Sequence, residues 1–459
     1  MNANSPPTSL LHHRSFNHRY RASTQIKIFQ ICVFCAICGF SGQSLSPLAP
    51  AVRADDWPQW RGPARDGAWR ESGIMESFPA EGLKIAWRAE AGGGWSSPVI
   101  AEGRVFLADS ELKQPKARER VRGFEAANGK LLWTYSYEVD YPDWAFGAEQ
   151  NVGPTSTPAF AGGKIYTLGA NAEVTCLAAA TGELLWRKDL AKEYAIESFQ
   201  SGRASPLIDG DLLILHVGGI PGACVLALDR NTGREVWTAL DEAVSNSSPV
   251  IVTAGGQRQL IVWTDDSVSS LDPATGALFW REPMKTSNND AIPTPVCTGD
   301  LLLVSGLMFK LDAEKPTATI LWPDNLALLK RTLSNTSTPL LAGEFVYSAT
   351  RTGELVCLEA RTGKELWRTN KVTAKKSGPS IHITPQGDAA FLYTDEGMLI
   401  RARLTPAGYE ELSRTKLIDP VYPFGGHKLA WAPPAYANRH VVVRNERELI
   451  CASLAADGR

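Results

Sequence analysis

A phrase of eleven residues that recurs along the chain constrains the fold more than any other feature of the sequence. Its clear copies end at residues 133, 186, 237, 280 and 367, and two of them read CLAAATGELLW and CLEARTGKELW. A degenerate copy ends at Trp322, and the last strand alone of such a unit ends at Trp87. The final tryptophans lie 42 to 53 residues apart. A period of this length is typical of propeller blades.

The sequence of each repeat predicts four short strands. A Ser or Thr followed by Pro opens the unit, as in SSPVI (96–100) and STPLL (337–341), and Pro is tolerated at the first position of a strand. A turn and a second alternating strand follow, and the recurring phrase supplies the third and fourth strands. Thr-Gly makes the tight turn between them, because Gly accepts positive φ. We interpret the tryptophans as packing groups between adjacent blades rather than as a row of ligand contacts.

The repeats predict an all-β, eight-bladed β-propeller of four-stranded antiparallel blades, with seven blades as the alternative. Six full units start near residues 95, 153, 202, 246, 291 and 335, and a seventh, less regular one starts at Ser377. An eighth starts near Trp431 and lacks its fourth strand, which residues 83–90 can supply. Pairing this N-terminal strand with the last blade would close the ring and remove its open edges. The predicted divisions are a signal peptide with a long n-region (1–54), a lead-in segment (55–82) and the propeller (83–459).

The first 54 residues have the pattern of an export signal. A basic stretch without acids precedes the apolar run IKIFQICVFCAICGFSG (26–42), which is short for a membrane span. Small residues then lead to Asp55, as at a cleavage site. We therefore predict an exported protein of the periplasm or cell envelope, with an uncleaved anchor helix as the alternative. Membrane association stays open, although no spanning helix is predicted in the mature chain.

Charge and motif content argue against several function classes. The formal net charge is −2 and no Lys/Arg-rich run occurs, so we predict no nucleic-acid partner. The mature chain has no HExxH motif, Walker loop or G-x-S-x-G elbow, and we predict no metal site. Five cysteines lie beyond the signal, mostly in apolar strands, where Cys acts as a small buried residue. They are Cys176, Cys224, Cys297, Cys357 and Cys451.

The L-x-A-x-T-G-x-x-x-W copies resemble the repeat of the pyrroloquinoline-quinone-type (PQQ-like) β-propellers. This superfamily includes the quinoprotein alcohol dehydrogenases and the propeller lipoprotein BamB of the outer-membrane β-barrel assembly machine. The resemblance covers residues 83–459. The lead-in DDWPQWRGPARDG (55–67) also resembles the start of exported PQQ-like proteins of planctomycete-type bacteria. We expect the lead-in to cross the rim of the ring, with Trp57 and Trp60 as packing anchors.

This resemblance implies two functions. The first is a non-catalytic, BamB-like binding or scaffold module, whose loop face contacts an envelope protein or a small-molecule or saccharide ligand. The alternative is a PQQ-dependent or other quinoprotein-type oxidoreductase, with PQQ and Ca²⁺ at the channel mouth. Those dehydrogenases cover the quinone with a disulfide between neighbouring cysteines, and this sequence has no Cys-Cys pair. We favour the scaffold and expect a monomer without a resident cofactor.

The candidate site consists of residues just ahead of the Pro-marked strands, in the loops between successive blades. In a propeller these loops surround one mouth of the central channel, where converging polar groups can form a ligand or partner site. The alternative is that such residues cap turns through bonds to the backbone. The candidates are Glu149, Gln150, Asn151, Arg203, Asn246, Asn289, Asp290, Asn335, Lys376, His427 and Trp431. Glu149, Arg203, Asp290 and His427 stand out because the repeat does not require them.

Overall fold

Eight four-stranded antiparallel sheets and one short hairpin make up the part of the chain described by the computed structural model. That part comprises residues 56–147, 152–196, 202–286, 291–323, 333–373 and 380–456. The sheets are arranged as an eight-bladed β-propeller, so the predicted fold is confirmed and the seven-bladed alternative is wrong. The predicted signal segment lies outside the described residues.

The strands of each blade are named A to D in chain order. Blades 1 and 2 contain β2 (Val99–Ala101), β3 (Arg104–Lys113), β4 (Lys116–Glu125), β5 (Leu131–Val139), β6 (Ala159–Ala161), β7 (Lys164–Leu168), β8 (Glu173–Ala178) and β9 (Leu184–Asp189). Blades 3 and 4 contain β10 (Leu207–Asp209), β11 (Leu212–Gly219), β12 (Ala223–Asp229), β13 (Glu235–Ala239), β14 (Val250–Ala254), β15 (Gln257–Trp263), β16 (Ser267–Leu271) and β17 (Leu278–Pro283).

The second half of the ring repeats this plan. Blades 5 and 6 contain β18 (Val296–Thr298), β19 (Leu301–Val304), β20 (Leu307–Leu311), β21 (Ala318–Trp322), β22 (Leu340–Ala342), β23 (Phe345–Ala349), β24 (Leu355–Glu359) and β25 (Glu365–Thr369). Blade 7 contains β26 (Ile381–Gln386), β27 (Ala389–Thr394), β28 (Met398–Thr405) and β29 (Gly408–Lys416). Blade 8 contains β32 (Ala435–Ala437), β33 (His440–Arg444), β34 (Glu448–Ser453) and β1 (Ile85–Glu90).

Three small elements lie between the blades. A hairpin of β30 (Tyr422–Phe424) and β31 (His427–Leu429) is inserted between blades 7 and 8. A 3-10 turn (Asp143–Phe146) follows blade 1, and the one-turn helix α1 (Leu190–Glu193) follows blade 2. Among the described residues, no helix has the length and hydropathy needed to cross a membrane.

The ring is closed as the sequence predicts, by pairing β1 with β34. The seam between blades 8 and 1 also contains buried charges. Arg444 of blade 8 donates to the carbonyl of Ala108 in blade 1 at 3.4 Å and to that of Gly92. The buried Asp109 carboxylate accepts from Arg120 at 2.8 Å and from Arg122. Each buried ion therefore has a hydrogen-bonding partner, as burial of a charge requires.

The repeat tryptophans connect each blade to the next, and we call each such contact a clasp. In six cases the indole Nε1 donates at 2.6 to 3.2 Å to a carbonyl in the following blade's C–D turn; these are Trp87, Trp133, Trp186, Trp237, Trp322 and Trp367. In five of the six cases the Gly of that turn lies against the ring, and a Cβ at Gly129 would come within 2.5 Å of Trp87. Gly408, in the turn that accepts from Trp367, has no such contact. The Thr-Gly signature thus combines the positive φ of a turn with a close contact between blades.

Trp280 departs from this scheme, and the sequence of the next blade explains why. The C–D turn of blade 5 reads DAEKPTA (312–318) and has no Gly. The indole of Trp280 donates instead to Oε1 of Gln259 in its own blade, at 3.0 Å. Its ring still packs against Phe309 of blade 5, with centroids 5.6 Å apart, so the predicted packing role is confirmed at all seven positions and the hydrogen bond to the next blade at six.

The outermost strand of every blade has a β-bulge, which lies next to a repeat tryptophan in all blades but blade 7. The register with strand C shifts just before each clasp tryptophan, as between the pairs Cys176↔Trp186 and Leu177↔Leu184. Such a bulge bends and twists the strand locally. The residue opposite the indole is small in six of the seven cases, three of which are Cys176, Cys357 and Cys451, whereas Met308 lies opposite Trp322. All five described cysteines are free, and four of them are buried.

The chain direction gives the central channel two different ends. Strand A of each blade lies innermost, since the A strands of neighbouring blades contact one another. Because the strands are antiparallel, the A–B and C–D turns lie at one end of the channel, which we call the turn end. The connections from strand D to the next strand A lie at the other end, which we call the loop end.

The lead-in enters the channel from the turn end instead of crossing the rim, so that expectation was wrong. Trp57 pairs with Ile100 of blade 1 through two backbone hydrogen bonds of 2.8 and 2.9 Å. The buried Arg65 guanidinium donates to the carbonyls of Ser205, Pro206 and Pro249 at 2.7 to 3.0 Å. Burial lowers the pKa of Arg65 to about 9, so the group is still charged at neutral pH. The lead-in therefore ties blades on opposite sides of the ring together.

Candidate functional site

A cavity of about 170 Å³ lies at the loop end of the channel, and we call it the loop-end cavity. Its aromatic lining consists of Trp60, Trp95 and Trp431. Its polar lining consists of Thr155, Arg203, Ser205, Asn246, Ser248, Thr336, Ser380 and His382. Ile292 and Pro433 complete the wall. The cavity therefore combines flat apolar surfaces with many hydrogen-bonding groups.

A belt of Ser and Thr residues runs around the channel at this end and contributes Ser205 and Ser248 to the wall of the cavity. The residue just before the Pro of one blade donates its backbone N–H to the hydroxyl of the equivalent residue in the next blade. The belt runs from Ser97 to Thr157 (3.1 Å), from Thr157 to Ser205 (3.0 Å) and from Ser205 to Ser248 (2.9 Å). Thr294 bonds to Thr338 in the same way. These hydroxyls link neighbouring blades, which the sequence did not indicate.

Trp60 forms the floor of the loop-end cavity. Its indole Nε1 donates to the hydroxyl of Thr294 at 2.8 Å, which fixes the ring across the channel. Trp60 also lines a smaller cavity of about 50 Å³ next to it. We expected both lead-in tryptophans to be packing anchors. Trp57 is one, since it is buried against Tyr436 with ring centroids 5.6 Å apart, whereas Trp60 faces the site.

An aromatic cluster forms the wall nearest blade 8. Trp431 contacts Trp95, Tyr422 and Phe424, with ring centroids 5.1 to 5.6 Å apart. The rings of Tyr422 and Phe424 come from the β30–β31 hairpin. No other connection between blades in the described chain contains a hairpin. The indole of Trp95 donates to Glu446 at 3.1 Å, and burial raises the pKa of that carboxyl.

His382 lies where the two cavities meet and is uncharged at neutral pH. Its Nε2 is 3.3 Å from the carbonyl oxygen of Trp431, which can only accept. Nε2 therefore carries the proton and Nδ1 is left as an acceptor. Burial lowers the pKa of His382 to about 4. The imidazole thus contributes hydrogen-bonding capacity to the wall without adding charge.

The structure brings three of the predicted site residues together. Arg203, Asn246 and Trp431 come from the loops ahead of blades 3, 4 and 8 and line the same cavity. Burial lowers the pKa of Arg203, which the charge of Asp265 partly offsets. Asn335 and His427 do not line the cavity: Thr336 does so beside Asn335, and His427 lies at the turn of the hairpin.

The other predicted site residues cannot be placed. Glu149, Gln150, Asn151, Asn289, Asp290 and Lys376 lie outside the described residues. Conversely, sequence reasoning missed Trp60, Trp95 and His382 as cavity residues. Trp95 offered a signal, because it falls outside the recurring phrase and directly precedes the first Ser-Ser-Pro. Trp60 and His382 offered none, since their neighbours in space are distant in sequence.

The described residues do not match a quinone site. No group of three or more His, Cys, Asp or Glu side chains within them converges as a calcium ion would require. An engineered cavity of ~150 Å³ holds one benzene ring, and the loop-end cavity is of similar size. PQQ is a fused three-ring system and is too large for it. We derive no step through this cofactor, and its absence stays a prediction.

The turn end has a wider opening of about 610 Å³. It lies between lead-in residues 59–68 and the innermost strands of blades 3 to 6. Arg258 and Asp209 at its edge form an ion pair. Its remaining lining is mostly aliphatic, with residues such as Ile251, Val296 and Leu340.

The repeat, the bulged outer strands and the closing strand together define a PQQ-like β-propeller. The chain belongs to the family described as outer membrane protein assembly factor BamB, whose model matches residues 117–369 and 264–459. A relative from Shewanella oneidensis, itself named outer membrane protein assembly factor BamB, is 24% identical over 259 residues. This match covers 53% of the chain and 62% of the relative, so the chain spans less than two thirds of that relative's length.

Solved structures share the fold. The crystal structure of BamB from Moraxella catarrhalis superposes with a TM-score of 0.56 at 17% identity, covering 81% of this chain and 97% of that one. The quinohemoprotein alcohol dehydrogenase from Comamonas testosteroni gives a TM-score of 0.60 at 14% identity, covering 88% of this chain and 81% of that one. At these identities the likeness establishes the architecture alone.

Proposed function

We propose that this protein is a non-catalytic, exported scaffold of the cell envelope, which binds a partner protein through the loop end of its channel. The observation that carries the proposal is the difference between the two ends. At the turn end the lead-in occupies part of the channel and leaves an opening with a mostly aliphatic lining, whereas the loop end has an aromatic cavity and a hairpin that the repeat does not require. Aromatic residues around a concave site are typical anchors of protein interfaces.

The family supports the same proposal. Its description and the name of the Shewanella relative both refer to assembly of outer membrane proteins. A role for this chain in that process, at the cell envelope, is therefore part of the proposal. The five free cysteines and the small cavity favour a scaffold over a quinone-dependent enzyme. We expect no heat of binding when PQQ and Ca²⁺ are added to the purified protein.

The test compares partner capture by variants altered at each end. Phe424→Glu places a charge on the exposed hairpin of the loop end, and Ala64→Glu places the same charge on an exposed lead-in residue. Each bait is used to capture proteins from envelope extracts, and bound proteins are quantified against the wild type. We expect Phe424→Glu to lose a partner that Ala64→Glu keeps. Loss in Ala64→Glu alone would overturn the proposal.

A further inference from the structure

We propose that the loop-end cavity binds one pyranose ring, either as a free monosaccharide or as the exposed end of a glycan. This inference rests on the proposed function, because it assigns a ligand to the same end of the channel. The size of the cavity sets the first limit. An engineered protein cavity of ~150 Å³ accepts a single benzene, and about 170 Å³ here leaves room for one six-membered ring.

The walls favour a ring with an apolar face. Trp60, Trp95 and Trp431 line a space of about 170 Å³. The C–H face of a pyranose packs against an indole face, which carries the negative end of the aromatic quadrupole. A cation would also be attracted to such faces. Arg203 lies in the same wall, however, and its positive charge opposes a cationic ligand.

The polar lining matches a ligand with several hydroxyl groups. Ser205 and Ser248 each accept a belt N–H through their side-chain oxygen, and neither hydroxyl donates a bond among the described residues. Each therefore keeps a proton to donate, while a sugar hydroxyl can both donate and accept. Asn246 adds an amide to the same wall. A phenol or aliphatic side chain would leave most of these groups without partners, at a cost in affinity.

The one positive charge of the described lining is partly balanced by a nearby carboxylate, which weakens its attraction for an acidic ligand. Among the described lining residues, Arg203 is the only ionised group, because His382 is neutral. The guanidinium also lies within reach of the Asp265 charge. Two buried polar atoms of the lining, Nε1 of Trp431 and Oγ1 of Thr155, have no hydrogen-bond partner in the described chain. A neutral polar occupant would satisfy them.

Binding is measured by tryptophan fluorescence and by calorimetry on the purified protein. The probes are glucose, galactose, mannose and N-acetylglucosamine, each as the free sugar and as its methyl glycoside. Cyclohexanol serves as a ring of similar size with a single hydroxyl. We expect saturable binding of at least one pyranose and none of cyclohexanol. Binding of the free sugar alone would identify a monosaccharide site, whereas binding of the methyl glycoside as well would identify a site for the end of a glycan.

Single-residue variants test whether the sugar binds in the loop-end cavity. Trp431→Ala and Asn246→Ala should each weaken the Kd by roughly tenfold or more, the effect of losing a hydrogen bond or stacking surface. Trp144→Ala removes an exposed indole outside the cavity and should leave the Kd unchanged. The inference is overturned if no sugar binds up to about 10 mM, beyond the weak end of specific affinities, or if the cavity variants bind like the wild type. Partner capture that persists without sugar binding would overturn this inference and leave the scaffold function standing.

Discussion

The turn end and the loop end of the channel are built from different kinds of residue. At the turn end, contacts between blades use the recurring phrase itself, an indole in one blade and a Thr-Gly turn in the next, as for Trp133 and Gly182. At the loop end, the cavity uses residues that occur once, such as Trp95, Arg203 and Trp431. The repeat thus builds and closes the ring, and departures from the repeat build the site. Substitutions of the repeat tryptophans at the turn end should therefore lower the stability of the fold, whereas substitutions in the loop-end cavity should mainly weaken binding.

The largest expected effect is the loss of a clasp at the turn end. Trp237 is 7% exposed and donates to the carbonyl of Pro273 at 3.2 Å. Trp237→Ala leaves a large void between blades 3 and 4 and should lower the free energy of unfolding by about 3–5 kcal/mol. Denaturant unfolding measures it, with Trp144→Ala, whose indole is 55% exposed, as a control that loses less than about 1 kcal/mol. Equal stability of the two variants would refute the clasp.

The next largest effect concerns the lead-in. Arg65→Met removes three hydrogen bonds to the carbonyls of Ser205, Pro206 and Pro249 and leaves those oxygens buried without a partner. We expect a loss of about 2–4 kcal/mol in unfolding free energy. Arg70→Met is the control, since Arg70 pairs with Asp66 on the surface and should contribute less than about 1 kcal/mol. If both variants unfold like the wild type, the lead-in does not hold the ring.

A pH effect of intermediate size follows from two buried histidines. Burial lowers the pKa of His216 and of His382 to about 4, below the value of ~6.5 in an unfolded chain. As the pH falls from 6.5 to 4, the unfolded state therefore takes up protons first, and the folded state loses stability. For the fully buried His216 this loss approaches about 3 kcal/mol. Below pH 4 both states are protonated and the effect levels off.

The measurement is denaturant unfolding at several pH values, for the wild type and for a variant with His216→Gln and His382→Gln. Buried carboxyls titrate in both proteins, so the difference between their pH profiles isolates the histidines. The wild type should lose more stability than the variant between pH 6.5 and pH 4. Parallel profiles would mean that these imidazoles are not kept neutral by burial.

The smallest effect on stability belongs to the loop end. Thr155→Val replaces a buried hydroxyl that has no partner in the described chain, so the unfolding free energy should change by less than about 0.5 kcal/mol. Sugar affinity should nevertheless fall. Thr157→Val is the matched control, because its hydroxyl accepts the N–H of Ser97 at 3.1 Å and its loss should cost about 1–2 kcal/mol. The opposite ranking of the two variants would contradict the assignment of Thr155 to binding and of Thr157 to the contact between blades.

The ring could be predicted from the sequence because its contacts recur. The period of 42 to 53 residues predicted eight units. The last unit lacked one strand in the sequence, and Ile85–Glu90 supplies that strand. The bulge before each tryptophan could not be predicted, since it depends on pairing register rather than on residue type. The exception at Trp280 can be understood afterwards from the missing Gly in the next turn, but its new partner Gln259 could not.

The site was predictable only in part, for a physical reason. Arg203, Asn246 and Trp431 could be found because equivalent loops of a propeller converge at one mouth. The floor of the cavity could not be predicted, because the lead-in contains no repeat. Its residue Trp60 bonds to Thr294, which lies 234 positions away in the sequence. Six of the predicted residues lie outside the described chain, and their assignment to the site stays a prediction.

The most direct test of the difference between the two ends is hydrogen–deuterium exchange of the protein alone and in complex with its captured partner. Our account predicts slower exchange in residues 420–431 of the loop end on binding, with no change in lead-in residues 56–70. Slower exchange confined to residues 56–70 would contradict it, because the partner would then occupy the end that the lead-in fills.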